Sequence, residues 1–193
     1  QMAVFDYGDA LLLFEVRGLV GNKDRGNFPG NVSNEYYTTE GRIHEGKFYK
    51  HGSDVGEALA DADAHVTPGG TFGSFLTAVR TRKPEDNNAN AEVAHYSAAL
   101  CHLANISYRL GEKASYDKAA GAIGDNKQVV ASFDALRDNL KAIGLNLAET
   151  EYQVGRQLAF DAASEKFTGE GADAANKLLT REYRAPFVVP QQV

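Results

Sequence analysis

The beginning of the chain alternates short apolar runs with turn-forming residues, a pattern typical of β-strands joined by tight turns. Val4 and Phe5 precede a turn-rich tetrapeptide at residues 6–9, and a mostly apolar run follows over residues 10–17. This pattern predicts a β-hairpin whose second strand is apolar on both faces and is therefore central in a sheet. Because a chain seldom begins inside a hairpin, we expect this sequence to be a fragment or a processed product.

Further short strands are predicted downstream of a loop. Residues 18–34 are rich in glycine and asparagine and are expected to form that loop. Strands are then predicted over residues 35–38 and within residues 42–50, where Glu45-Gly46 supplies a tight turn. The polar segment 52–70 is expected to be a long connection.

The second part of the chain changes to the helical period. Apolar residues recur at i, i+3, i+4 and i+7 after Thr71, which predicts a helix with Thr71 as its N-cap and Pro84 as its stop. The apolar stripe of this helix is formed by Phe72, Phe75, Leu76 and Val79.

Three more helices are predicted from the same periodicity. One spans residues 91–110, with Asn90 as its N-cap and Gly111 as a left-handed residue at its C-terminal end. The next spans residues 128–143 and ends at Gly144, and the last spans residues 172–182. Strands therefore come first and helices later. This order predicts the α+β class, with a mainly antiparallel open sheet and helices packed on one face, in a single domain over residues 1–193.

The composition excludes some classes of binding partner but does not identify a reaction. Of the 193 residues 43% are apolar, and 26 acidic against 20 basic side chains give a net charge of −6. Nucleic acid and anionic membrane surfaces prefer a basic face, so neither is expected as a partner. The longest apolar run, residues 10–14, is far shorter than the roughly 18 residues of a membrane span. A single cysteine excludes an intramolecular disulfide framework.

Motifs for nucleophilic or metal chemistry are not found. Cys101 lies mid-helix among small apolar residues, so a buried structural thiol is predicted there. His44-Glu45 is followed by Phe48 where a zinc protease helix has its second histidine. Residues 61–65 begin like a calcium loop but lack its glycine and its final glutamate. The glycine-rich residues 69–74 lack the phosphate-loop lysine and the dinucleotide spacing. No catalytic, cofactor-binding or metal-binding residue is therefore predicted.

One polar constellation follows a single stripe of the second helix. Its spacing of 3, 7, 3 and 4 residues is that of one helix face. It is either the solvent-facing side of the helix or a polar groove whose histidines bond a hydroxylated ligand. The two histidines stand two turns apart, about 10–11 Å along the axis, too far to share one metal ion. The stripe consists of Glu92, His95, His102, Asn105 and Arg109.

Four aromatic residues on the predicted strands suggest another possibility, a carbohydrate-binding surface. Strand alternation is expected to turn two of the four into the core. They are Tyr36, Tyr37, Phe48 and Tyr49.

Several segments, in order along most of the chain, resemble the C-terminal domain of the glucose-fructose oxidoreductase/inositol dehydrogenase (Gfo/Idh/MocA) family. They include residues 5–9, 39–41, 79–83, 95–97, 100–111, 155–161, 165–167 and 183–190, of which 104–111 and the Tyr-Arg-x-Pro tail are the more specific. The branch they resemble is common in bacteria such as planctomycetes. The resemblance implies a two-domain enzyme in which a Rossmann domain binds NAD or NADP. The C-terminal domain would bind a sugar or cyclitol substrate and form homo-oligomers through its sheet face.

Several parts of the family's catalytic apparatus have no counterpart in this sequence. A G-x-G-x-x-G fingerprint after a strand is missing, as is the Glu-Lys-Pro motif that carries the family's catalytic lysine. Lys83-Pro84 belongs to a different segment, and the family's Asp…His pair would lie upstream of Gln1. The resemblance therefore predicts a domain that is not catalytic on its own, with a standalone interaction module as the alternative. It leaves two compartments open, the bacterial cytoplasm and a periplasm reached by twin-arginine export.

Overall fold

The computed structural model describes residues 1–16, 34–59, 66–116 and 123–189. The chain divides into two compact units, one comprising Gln1–Asn27 with His95–Val193 and the other Phe28–Ala94. Residues 18–33 of the predicted loop and the calcium-like residues 61–65 lie outside the described residues.

The N-terminal hairpin is confirmed, and its predicted central position is wrong. Strands β1 (Met2–Asp6) and β2 (Leu11–Glu15) pair antiparallel, and the Asp6 carboxylate accepts a hydrogen bond from the Gly8 amide in the turn at 2.8 Å. Among the strands described, however, β2 pairs only with β1. Leu12 and Phe14 are consequently 40% and 55% exposed. An all-apolar strand requires cover on both faces, and β1 supplies only hydrogen bonds along one edge.

The second unit contains a four-stranded antiparallel sheet in the order β3-β4-β5-β6. Its strands are β3 (Glu35–Tyr37), β4 (Gly41–His44), β5 (Lys47–Lys50) and β6 (Glu57–Ala58). The predicted turn at Glu45-Gly46 is confirmed, with positive φ values of 48° and 73° at its two central residues. That pair of left-handed residues matches the right-handed twist of the strands it joins. The two-residue strand β6 lies in a polar segment with no strand pattern, so periodicity does not predict it.

Helix α1 (Gly70–Thr81) begins earlier than predicted. Gly69, rather than Thr71, is its N-cap, because Gly69 and Gly70 both take positive φ values that suit glycine. The helix ends at Thr81 with Arg82 as its C-cap, and a short 3-10 turn follows over Pro84–Asp86. The predicted apolar stripe is present, but within the part of this unit that the structure describes it is largely uncovered. Phe72, Phe75, Leu76 and Val79 are 85%, 55%, 49% and 45% exposed.

Helix α2 (Ala91–Arg109) confirms one predicted cap and corrects another. The Asn90 side chain accepts a hydrogen bond from the Val93 amide at 3.0 Å, as an N-cap should. Gly111 does not adopt the left-handed conformation. It is required for another reason: a Cβ at this position would lie 1.9 Å from the carbonyl oxygen of Val154.

The last two helices differ in how well periodicity predicts them. Helix α3 (Lys127–Ala142) confirms the predicted end at Gly144, which has a φ of 87°. Its N-cap is Asn126, which the periodicity does not predict. Helix α4 (Ala172–Asn176) is much shorter than the predicted segment 172–182.

Two further strand pairs belong to the first unit and are not predicted by the sequence pattern. Strand β7 (Glu112–Ser115) pairs with β8 (Glu151–Val154), and β9 (Ala159–Asp161) pairs with β10 (Lys166–Thr168), both antiparallel. Strands of three or four residues are too short for a reliable two-residue period. The fold is thus α+β with antiparallel pairing, in four small sheets across the described residues.

Helix α2 packs through one side onto the C-terminal elements. Ile106 is buried together with Phe167 of β10 and Ala175 of α4. Cys101 lies five residues before Ile106, about 140° around the helix, and therefore on the other side. The predicted burial of this thiol is wrong: Cys101 is exposed.

A second core of the same unit is aromatic. Phe133 of α3 and Tyr116 are buried, and Tyr152 of β8 joins them with its ring centroid 4.4 Å from that of Tyr116. The Tyr152 hydroxyl is buried and, among the described residues, forms no hydrogen bond. A polar atom buried in this way costs free energy that a hydrogen bond would otherwise recover.

Replacing Tyr152 by phenylalanine is expected to leave stability unchanged or to raise it by about 1–3 kcal/mol, because the unsatisfied hydroxyl is removed while the ring stays.

Burial raises the pKa of Tyr152 to about 12 and also raises the pKa of Tyr116. Unfolding returns both groups to about 10. The unfolded state therefore loses protons first, and the free energy of unfolding falls as pH rises between about 10 and 12.

Urea titrations across this alkaline range measure the effect. The Tyr152→Phe variant should show a shallower loss of stability with pH than the wild type. A variant that is less stable at neutral pH, or one with an unchanged alkaline slope, would contradict this account of Tyr152.

Candidate functional site

The five residues of the predicted polar stripe all lie on helix α2 and are all exposed. Glu92 falls in the unit Phe28–Ala94, whereas the remaining four fall in the other unit. The four residues from His95 to Arg109 therefore form one surface within a single unit. We call this surface the α2 stripe; it comprises His95, His102, Asn105 and Arg109.

His95 has a specific partner that the sequence did not identify. Its Nε2 lies 2.7 Å from Oε1 of Glu165, a residue of the turn between β9 and β10. The two side chains remain about half exposed, at 54% and 52%. Glu165 is 70 positions away from His95, and its only sequence signal is its place in a segment that resembles the family. An acid–base pair of this kind can orient one imidazole nitrogen and leave the other for a ligand.

The turn that carries Glu165 is held by a neighbouring carboxylate. Asp161 accepts hydrogen bonds from the Ser164 hydroxyl at 2.5 Å and from the Ala163 amide at 3.2 Å. These bonds, that from Ser164 first, lower the pKa of Asp161. Glu165 itself takes a left-handed φ of 51°, which turns the chain back into β10. The carboxylate that meets His95 is therefore placed by a turn with its own hydrogen bonds.

The other stripe residues are not brought to a charged partner. Within the ranges the structure describes, His102, Asn105 and Arg109 take part in no side-chain hydrogen bond or ion pair. The stripe is thus an open polar surface with one anchored end. Its role as a groove for a hydroxylated ligand stays a prediction.

Helix α2 is fixed below this surface by a close backbone approach. The Ser107 hydroxyl donates to the Arg156 carbonyl oxygen at 2.7 Å, and the Arg156 amide donates to the Ser107 carbonyl oxygen at 3.0 Å. A Cβ at Gly155 would lie 2.5 Å from the Ser107 hydroxyl oxygen, so the approach requires glycine. Arg156 is held in turn by Glu170 at 2.8 Å. The helix that presents the stripe is therefore anchored at its C-terminal half.

The residues that the structure describes contain no group of three or more histidine, cysteine, aspartate or glutamate side chains able to hold a metal ion. The glycine-rich start of α1 does not fit a dinucleotide. With Gly69 as the first glycine of a G-x-G-x-x-G motif, Thr71 stands in place of the second glycine and Ser74 in place of the third.

The His95–Glu165 pair is expected to contribute little to stability. A double-mutant cycle with His95→Ala and Glu165→Gln should yield a coupling free energy of about 0.2–1 kcal/mol, because half-exposed ion pairs are screened by water and salt. Urea unfolding near pH 6 and again near pH 8 measures it. The Arg156–Glu170 pair provides a matched cycle in the same unit. A coupling well above 1 kcal/mol would mean that the pair is a structural element rather than an accessible polar site.

Comparison with known proteins found no match among family models, curated proteins or solved structures. In the described residues, none of the helices has the length and apolar character needed to cross a membrane.

Proposed function

We propose that this chain is the substrate-binding and oligomerisation domain of a bacterial Gfo/Idh/MocA-type oxidoreductase acting on a sugar or cyclitol. In this proposal NAD or NADP is bound by a separate Rossmann domain, and the present chain is not catalytic by itself. Its fold would be the family's open antiparallel sheet with helices on one face.

The observation that carries the proposal is that segments resembling the family come together in space. Ser107, in the segment 100–111, is bonded to Arg156, in the segment 155–161. Ile106 of the first segment packs with Phe167 of the segment 165–167. Segments that lie 49 residues apart at Ser107 and Arg156, and further apart at Ile106 and Phe167, thus meet in one core, as they would if their similarity to the family reflected a shared fold.

Uncovered apolar surfaces support a role in assembly. The α1 stripe borders a shallow groove that is lined by Phe75, Val79, Arg82 and Pro84, among others. Apolar patches of this kind on a folded chain are typical of surfaces that contact another protein part. The hairpin β1–β2 presents a second such surface, which fits the proposed homo-oligomer through a sheet face.

Substrate binding is assigned to the α2 stripe. His95 with Glu165, His102, Asn105 and Arg109 supply both donors and acceptors, and sugars and cyclitols require both. The proposed role of the stripe is to bind and orient the substrate.

Isothermal calorimetry of the full chain with NAD and with NADP tests whether the cofactor site lies outside this chain. We expect no binding in the submillimolar range. Submillimolar binding of either nucleotide would contradict the proposal, because this chain would then contain the cofactor site. Analytical ultracentrifugation tests the assembly role: a monomer at all concentrations would contradict oligomerisation through this domain.

A standalone interaction module derived from such a domain is the second candidate, favoured by the same exposed apolar faces. The genomic sequence upstream of Gln1 separates the two. A strand–G-x-G-x-x-G–helix pattern in frame would exclude the standalone module. An upstream stop codon without such a pattern would exclude the oxidoreductase domain.

A further inference from the structure

The bond between His95 and Glu165 has a direction, and that direction fixes what His95 can offer a ligand. Nε2 of His95 lies 2.7 Å from Oε1 of Glu165. An ionised carboxylate only accepts hydrogen bonds, so Nε2 carries the proton of this bond. A neutral imidazole holds one proton on its two ring nitrogens, and Nδ1 of His95 is consequently an acceptor. The pair therefore presents an imidazole nitrogen that takes a hydrogen bond rather than giving one.

Glu165 can impose this tautomer because the turn that carries it is itself fixed. Glu165 has a left-handed φ of 51°, and Asp161 closes the turn by accepting hydrogen bonds from Ser164 and Ala163. The remaining charged side chain of the hairpin, Lys166, is the register partner of Asp161. Register partners share a face of a strand pair, so Lys166 is placed beside Asp161. Glu165 is thus the carboxylate of this hairpin that reaches helix α2.

The imidazole is supported from a second direction by the neighbouring ring of Tyr96. The two ring centroids are 5.4 Å apart and the ring planes meet at 62°, an edge-on arrangement. Ring pairs of this geometry attract each other beyond the area that they bury. His95 is therefore held both at Nε2 and along its ring. A side chain that is ordered in advance loses less entropy when it bonds a ligand.

The pair is also accessible. The side chains of His95 and Glu165 are 54% and 52% exposed, and both residues belong to the same unit. The carboxylate has a second oxygen, Oε2, which is an acceptor like Nδ1 of the imidazole. Two acceptors joined by a 2.7 Å bond suit a ligand with two donors on adjacent atoms. Neighbouring hydroxyl groups of a sugar or cyclitol ring have this arrangement.

We propose that Glu165 is a positioning residue that makes His95 the acceptor for a substrate hydroxyl, so that this end of the α2 stripe selects rings with free neighbouring hydroxyls. One hydroxyl would donate to Nδ1 of His95 and the next to Oε2 of Glu165. The inference rests on the proposed function, which assigns substrate binding to the α2 stripe. Ether oxygens cannot donate, so a ring whose hydroxyls are methylated should be rejected for lack of donors.

Long-range proton–nitrogen nuclear magnetic resonance spectra of the full, nitrogen-15-labelled chain test the positioning role. At about pH 8.5, roughly two units above the ordinary imidazole pKa, we expect His95 to show a protonated Nε2 and an unprotonated Nδ1. In Glu165→Gln the new amide can also donate, so the two nitrogen signals should move toward each other as the tautomers mix. Glu151→Gln, at an exposed position of β8 in the same unit, is the matched control and should leave both signals in place.

Titration of the same sample with myo-inositol tests the ligand. We expect saturable, millimolar binding that moves the Nδ1 signal of His95 more than the Nε2 signal. Glu165→Gln should weaken this binding about tenfold, and Glu151→Gln should not change it. Hexa-O-methyl-myo-inositol keeps the ring and its oxygens but has no donors, and it should leave the His95 signals unmoved.

The possible failures have different consequences. An Nδ1–H tautomer in the wild type, His95 signals that do not respond to Glu165→Gln, or equal inositol affinity in wild type and Glu165→Gln would each overturn the positioning role and leave the proposed function standing. Binding of the methylated ring, or His95 signals that move with methylammonium and not with inositol, would overturn the selection of hydroxyl donors. A tautomer that depends on Glu165, combined with no response to inositol or glucose, would overturn the ligand together with the substrate binding assigned to the α2 stripe.

Discussion

Replacing Phe133 by alanine is expected to lower the free energy of unfolding by about 3–5 kcal/mol, the usual cost of removing a large aromatic side chain from a core. Phe133 is 3% exposed, and its ring lies 5.8 Å from that of Tyr116 and 6.2 Å from that of Tyr152. Removing the ring leaves a cavity among the side chains packed around it, which include Tyr116, Tyr152 and Leu140. Urea denaturation followed by far-ultraviolet circular dichroism measures the change.

Phe187→Ala is the matched control in the same unit. This ring is 69% exposed, so its removal should change stability by no more than about 0.5 kcal/mol. If the two variants lose the same stability, the aromatic cluster is not the core of this unit. A change in the slope of the urea transition in the Phe133 variant would indicate loss of a cooperative unit rather than a simple cavity.

Replacing Gly111 by alanine is expected to destabilise the same unit by about 1–3 kcal/mol or more, through overpacking against backbone that cannot shift aside. The new Cβ would meet the Val154 carbonyl oxygen at 1.9 Å. The neighbouring residue Glu112 is the register partner of Val154, so relief of the clash requires β7 and β8 to separate. Thermal unfolding, together with hydrogen exchange of the β7 and β8 amides, measures both consequences.

Gly144→Ala separates this steric effect from the general cost of losing a glycine. Gly144 has a φ of 87° and open space around it, so alanine should cost only about 1 kcal/mol from the strained backbone. Equal losses in the two variants, with unchanged exchange in β7 and β8, would refute the close approach of Gly111 to Val154.

The polar stripe and the proposed assembly surfaces differ in their chemical character. The stripe rests on a helix that is fixed by Ser107 and Arg156, which suits a site that must orient a ligand. The α1 face, with Phe72 and Phe75 exposed, is instead apolar and suits contact with another protein surface. Both fit the proposed domain, in which one surface binds substrate and others bind protein.

Local signals predicted the parts of the structure that depend on neighbouring residues. The Glu45-Gly46 turn, the Asn90 cap and the stop at Gly144 are all confirmed, because each rests on backbone geometry within a few residues. The helix periods over α1, α2 and α3 follow for the same reason. The polar stripe could be placed on one face of α2 because helical spacing alone determines which side chains align.

Features that depend on distant parts of the chain were predicted wrongly or were not predicted at all. The apolar character of β2 predicted a central strand, and the small residues around Cys101 predicted burial. Both inferences assume what packs against the element, which local sequence does not contain. The partner of His95 was missed for the same reason, since Glu165 is 70 positions away. The sequence predicts Gly111 as a left-handed residue at the helix end. The structure requires glycine there for a different reason, because a side chain would collide with the backbone of Val154.

By itself, then, the sequence determined the α+β class, the turns, the caps and the faces of the helices, all of which follow from the conformational preferences of short segments. Only the tertiary structure decided which of those faces are covered. It also decided that His95 meets Glu165 and that Tyr37, Arg42 and Glu35 converge on one side of a sheet. Contacts between distant segments depend on how whole elements pack, and packing is a property of the assembled surfaces rather than of any one of them.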